Sequence, residues 1–152
     1  MALLMDSSFG GDFNKNMSDI FTAQEELYNA GARNFMFVDV PPMDRCPGSI
    51  DKDDMHGSPA VNSWNTLLAK NVHNFASSHG SDITGLIFSA HALFGRVLDN
   101  PETYGFQESD VTKNGGAIWV DHLHPTTKMH AIIATDMAAF LEGVSAVESR
   151  SA

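Results

Sequence analysis

Cysteine is nearly absent: Cys46 is the single one in 152 residues. One thiol closes no internal disulfide, so the chain is not built on a disulfide framework. No histidine is tied to Cys46 by sequence, which favours a structural thiol over a catalytic one. Basic residues are also scarce, 9 Lys and Arg against 19 Asp and Glu, for a formal net charge of −10. Such a surface repels a phosphate backbone, so nucleic acid is not an expected partner. No apolar run is long enough to span a bilayer. The opening Met1-Ala2-Leu3-Leu4-Met5-Asp6 has neither a basic start nor a long apolar core, so it does not read as a signal peptide. Localisation is left unassigned. There is no Gly-rich phosphate cradle, no internal repeat and no low-complexity tract. No nucleotide, flavin or other cofactor is therefore expected.

What is present is an ordinary globular balance, 43% hydrophobic and 18% charged, in a length that suits one domain. Residues 1–16 read as an irregular segment with a turn at Phe9-Gly10-Gly11-Asp12. Residues 17–145 read as the domain, and 146–152 as a tail. From Met17 a helical pattern places Met17, Ile20, Phe21, Leu27 and Tyr28 on one face. Ser18 or Asn16 is the expected cap, and Gly31 the expected stop. The apolar run from Asn34 to Val40, ended by Pro41-Pro42, reads as a strand buried on both faces. Residues 43–58 form a long polar loop.

A second helix follows, with Pro59 near its first turn and Val61, Trp64, Leu68, Val72 and Phe75 at spacings of three and four; Gly80 closes it. Ile83 to Ala90 reads as the second strand, and Leu93 to Leu98 as one or two helical turns. After a polar loop over 99–117, a last helix runs from about Thr126 to Glu142, its apolar face formed by Met129, Ile132, Ile133, Met137, Phe140 and Leu141. Helix and strand alternate, which implies an α/β fold with a parallel sheet. Two strands make a very small sheet with unpaired edges. The expected architecture is therefore part of a larger doubly wound domain, its remaining strands absent or supplied by a complementing chain or a second copy in a homo-oligomer.

The most informative stretch is Trp119-Val120-Asp121-His122-Leu123-His124-Pro125-Thr126. A histidine acting as general base needs a carboxylate on one ring nitrogen to fix its tautomer and stabilise the imidazolium. Three residues in a tight loop suffice to fold Asp121 back under His124, and Pro125 prepares the helix start behind it. Three readings stay open from the residues alone: an acid–base pair, a metal site using Asp121, His122 and His124, and a structural loop with Asp121 as a cap. His91 follows the second strand, where ligands bind in open α/β sheets, and is a candidate pocket residue. Arg45 is a candidate substrate contact, with a surface ion pair as its plainer role. Trp119 reads as core, with stacking on a sugar as the alternative. His56, His73 and His79 read as solvated, and His130 as a surface or packing residue.

Several blocks in order carry a resemblance. Residues Gly31 to Pro42 followed by Arg45-Cys46-Pro47, then Val61-Asn62-Ser63-Trp64-Asn65, then Leu98-Asp99-Asn100-Pro101 with Tyr104-Gly105-Phe106, and finally Trp119 to Thr126 resemble the corresponding blocks of GDSL/SGNH ester hydrolases. The similarity runs from about residue 20 to 142 and is greatest to fungal esterases of the carbohydrate-esterase and GDSL lipase type. It implies a three-layer α/β/α domain with a flavodoxin-like parallel sheet, and hydrolysis of a small-molecule ester such as a sugar acetate or lipid ester. By resemblance His124 is the general base and Asp121 its partner.

The family's Gly-Asp-Ser nucleophile block and its Gly-x-Asn-Asp block are both missing from this sequence. Ser7, Ser8, Ser58 and Ser81 each stand in the wrong context to replace the nucleophile. The sequence thus matches the C-terminal part of the family pattern, with its nucleophile unassigned. The expectation is weak or no esterase activity from this chain alone. An inactive binding or assembly module and an Asp/His metal protein are the alternatives.

Overall fold

The computed structural model describes residues 12–50 and 57–146. The expected turn at Phe9-Gly10-Gly11, the serines Ser7 and Ser8, His56 and the last six residues lie outside the described residues. The elements in order are α1 (Phe13–Asn29), β1 (Asn34–Val38), α2 (Pro47–Ile50), α3 (Gly57–His79), β2 (Thr84–Phe88), α4 (Ala90–Asp99) and α5 (Thr127–Glu142), with short 3-10 turns between them.

Helix α1 starts earlier than its apolar pattern. Its cap is Asp12, whose carboxylate accepts from the backbone N–H of Asn14 and Lys15. Neither Ser18 nor Asn16 caps it. A carboxylate satisfies the orphan first-turn donors even where the first turn buries little. At the other end Gly31 takes φ +107°, a conformation that costs glycine little. Leu27, expected on the buried face, is 50% exposed; Met17 is the buried residue of this helix.

β1 and β2 pair in parallel, Phe35 opposite Gly85 and Phe37 opposite Ile87. One face of this sheet is filled. Phe35 and Phe37 pack with Met17, Leu68, Val72, Phe75 and Ile83 beneath α1 and α3. Gly85 belongs to that face, since a Cβ there would lie 3.2 Å from the Ala76 methyl. The opposite face is covered only in part. There Phe88 meets Phe140 of α5 at 5.7 Å between ring centroids. Met36 and Val38, on the same side of β1, are 36% and 47% exposed.

The expectation of a strand buried on both faces is therefore corrected: β1 alternates exposed and buried. On that side α5 meets β2 through Phe140 and Phe88, whereas Met36 and Val38 of β1 stay exposed. The flanking hydrogen bonds, Thr84 N–H to Arg33 O and Asp39 N–H to Phe88 O, turn residues 33, 35, 37 and 39 toward β2. Met36 and Val38 consequently direct their backbone groups to the far edge, where no third strand pairs among the described residues.

Both strands are shorter than their apolar runs. β1 ends at Val38 because its partner β2 stops at Phe88, where Ser89 caps α4; just beyond, Asn65 of α3 accepts from Val40 N–H and donates to Val40 O, each at 2.9 Å. A side-chain amide thus imitates a strand partner. α4 is longer than expected, because Ser89 caps it through Ala92 N–H. A second apolar cluster gathers Met43, Cys46, Val61 and Phe88 with α4, Phe106, Ile118, Trp119, Leu123 and Met129. Ile132, Ile133, Met137 and Phe140 of α5 pack against it, whereas Leu141, expected on that face, is exposed.

Candidate active site

The loop from Ala117 to Thr126 folds on itself. Trp119 bridges Pro125 in antiparallel fashion, Val120 N–H donates to His124 O at 2.8 Å and Thr126 N–H to Ile118 O at 2.9 Å. Thr126 also donates its hydroxyl to Ala117 O and caps α5 through Met129 N–H. Leu123 and Ile118 are buried in the second cluster. The turn between Val120 and His124 is thus closed by backbone bonds, seated on apolar side chains and continued directly by a capped helix.

Inside this turn the Asp121 carboxylate does two things. Its Oδ1 accepts from Leu123 N–H at 2.8 Å and His124 N–H at 2.7 Å. Its Oδ2 lies 2.8 Å from His124 Nδ1. The N–H of His124, then its ring, then the N–H of Leu123 hold the Asp121 carboxyl well below the usual carboxylate range. It is therefore ionised at neutral pH. With the proton on Nδ1, His124 donates to Asp121 and its Nε2 is left as the basic nitrogen. Both side chains stay open to solvent. Among the described residues no hydroxyl or thiol is hydrogen-bonded to His124.

The other candidates are dispersed. Arg45 forms an ion pair with Asp99 at 2.7 Å, the plainer of its two expected roles. Trp119 is 3% exposed, donates its indole N–H to Val111 O and packs against Phe94. It has no open face for a sugar, so the stacking alternative is corrected in favour of core, because the second cluster closes over the ring.

His91 is half-buried at the start of α4, at the C-terminal end of β2. His122 is exposed, and among the described residues no three His, Cys, Asp or Glu side chains converge as a metal would need. His130 and His73 are exposed. His79 is not the solvated residue expected: its ring lies 3.0 Å from Glu25 and against Tyr28 and Phe75, joining α1 to α3.

Two supporting residues escape sequence reasoning. Asp39, just past β1, accepts from the Ser89 hydroxyl at 2.6 Å and from His91 N–H at 2.7 Å. It ties the end of β1 to the start of α4. Asp110 is buried and accepts from Gln107 N–H and Ala117 N–H. These donors hold its carboxyl below the ordinary value and anchor the strand of loop that enters the Asp121 turn. An Asp inside an apolar run, as at Asp39, is the one signal that points to the first. Asp110 sits in a polar loop and carries none.

No protein-family model matches the chain. Over 137 residues it is 31% identical to an acetylesterase of Thermothelomyces thermophilus, covering 84% of this chain and 44% of that protein. Over 104 residues it is 28% identical to a GDSL esterase/lipase of Arabidopsis thaliana, covering 60% of this chain and 28% of that protein. The chain thus spans less than half the length of these relatives. With a mixed α/β fold around a parallel strand pair, it is a relative of the GDSL-type esterases.

Proposed function

We propose that this chain supplies the Asp121–His124 base pair of a serine ester hydrolase acting on carboxylic esters, acetyl esters first among them. The nucleophile and oxyanion donors would come from polypeptide that this sequence does not contain. The observation that carries the reading is the geometry of the pair, an ionised carboxylate 2.8 Å from Nδ1 and pinned by two backbone N–H groups. In the proposed reaction His124 Nε2 takes the proton from a serine hydroxyl as its oxygen attacks the ester carbonyl. The same proton passes to the departing alkoxide as the tetrahedral intermediate collapses. Water then repeats the sequence on the acyl-enzyme and releases the acid. Asp121 stays charged throughout and stabilises the imidazolium.

The rest of the domain follows the same reading. A parallel pair whose β1 has one strand partner among the described residues, with Met36 and Val38 exposed, fits one part of a three-layer, flavodoxin-like sheet. A complementing chain, or upstream polypeptide, would add strands there. The chain alone is expected to be weak or inert, because removing a triad nucleophile costs on the order of a million-fold in turnover.

The test is a pair of assays on p-nitrophenyl acetate. The chain alone should show no acyl-enzyme burst, and its His124→Ala variant should behave identically. A fusion placing the N-terminal portion of the acetylesterase relative ahead of this chain should gain activity that disappears with His124→Ala. A burst from the chain alone, or fusion activity indifferent to His124, would overturn the proposal.

One observation favours a second reading, an inactive binding or assembly module: no nucleophile faces His124 among the described residues. Light scattering separates the two. A homodimer paired through β1 supports the module, and a well-folded monomer counts against edge pairing.

A further inference from the structure

We propose that Gly48 is a positioning residue for the Asp121–His124 pair, acting through the carbonyl of His122. This rests on the reading of that pair as the catalytic base. Gly48 is the second residue of α2, far from the turn in sequence. Yet its N–H donates to His122 O at 2.9 Å. The approach is closer than a side chain at position 48 would meet without a shift of its neighbour. A Cβ at position 48 would stand 2.9 Å from His122 Cδ2, 3.1 Å from His122 O and 3.3 Å from His122 Cβ. The ring has room to rotate away, being exposed. The carbonyl and Cβ belong to the turn itself and cannot move without it.

The platform beneath Gly48 is firm. Met43 and Cys46 are buried in the same apolar cluster as Ile118, Trp119 and Leu123. Arg45 N–H donates to Pro42 O, Cys46 N–H to Met43 O and Ser49 N–H to Cys46 O, so the segment leading into α2 is a continuous set of turns. Pro47 constrains the backbone directly before Gly48. The four residues Asp121 to His124 are then gripped from three sides. The Asp121 carboxylate holds the N–H groups of Leu123 and His124, the core holds the Leu123 side chain, and Gly48 holds the His122 carbonyl.

The Asp121 carboxylate holds the peptide between His122 and Leu123 at its N–H, and Gly48 holds the same peptide at its oxygen, so together they fix the tilt of its plane. A tilt there would carry the His124 ring away from Asp121 Oδ2, and with it the tautomer that keeps Nε2 basic.

Two NMR measurements on the isotopically labelled chain test this. In the unaltered protein a through-hydrogen-bond scalar coupling should connect Gly48 N with the His122 carbonyl carbon; its absence overturns the proposal without any variant. Long-range proton–nitrogen spectra of the histidine rings then report the tautomer, at about pH 8, where an ordinary imidazole is neutral.

In the unaltered chain His124 should carry its proton on Nδ1. Gly48→Ala should shift it toward the Nε2–H form that a free histidine favours, and adding His122→Gly, which removes two of the three close contacts, should restore Nδ1–H in part. Asp121→Ala serves as the reference. If it leaves the His124 tautomer unchanged, the Asp–His reading itself fails. If Asp121→Ala changes it and a folded Gly48→Ala does not, only the role of Gly48 fails.

Discussion

The turn carrying Asp121 and His124 and the sheet carrying β1 are finished to different degrees. In the turn, the backbone is paired across Trp119–Pro125 and Val120–His124, the carboxylate satisfies two N–H groups, and α5 follows at once. In the sheet, β1 has a partner on one edge and cover on one face, while Met36 and Val38 stand open. The difference lies in range. Every bond that the Asp121 carboxylate makes joins residues three apart or fewer, so the contact itself is local. A strand's second edge and second face need other elements. An Asp–His contact of this kind is therefore closed within one turn, whereas among the described residues β1 has a strand partner on one edge alone.

This contrast can be broken experimentally. Trp119→Ala should have the largest effect, since it empties the centre of the second cluster and frees Val111 O; a loss of about 3–5 kcal/mol is expected from urea unfolding. A loss below about 1 kcal/mol would mean that the turn does not rest on that core. Asp39→Ala should cost about 1–3 kcal/mol, because the Ser89 hydroxyl and His91 N–H both lose their acceptor. An unchanged unfolding midpoint would show that β1 and α4 are held together by packing alone.

Acid should weaken the turn more than the sheet. Asp110 and Asp121 both have folded-state pKa values pulled below the unfolded value of about 3.9 by the N–H donors around them. Their contribution is fully present above the unfolded value and is lost as pH falls through the folded one. Stability should therefore decline as pH drops below about 5, and less steeply in Asp121→Asn and Asp110→Asn. A parallel decline in all three proteins would remove these two carboxylates as the cause. The smallest effect is expected at the open side of the sheet. Val38→Lys should change stability by no more than about 0.5 kcal/mol in this chain, whereas a loss of several kcal/mol would mean that the side is covered in solution.

The contact between Asp121 and His124 is legible from spacing, and so is the parallel α/β alternation. The likeness to GDSL-type esterases is legible from ordered blocks of residues. Asn65 shows where reading stops. Nothing in Val61-Asn62-Ser63-Trp64-Asn65 reveals that its last side chain closes the backbone of Val40, since that bond spans 25 residues. His79 is a similar case: a helix-end histidine looks solvated until Glu25 and Tyr28 arrive from α1. The apolar run of β1 misleads for the opposite reason, because hydrophobicity reports what a strand is suited to bury and not whether a cover is there.

By itself the sequence determined where both strands and the longer helices lie, the acidity of the surface, and a carboxylate folded back on the histidine three residues on. Those properties rest on backbone periodicity and on interactions within one turn. Only the tertiary structure decided that Trp119 is closed in, that Arg45 is spent on Asp99, that Asp39 joins two elements and that Gly48 touches His122. Each of these joins residues at least several turns apart, where the contact is set by how the elements pack and leaves no local pattern to read.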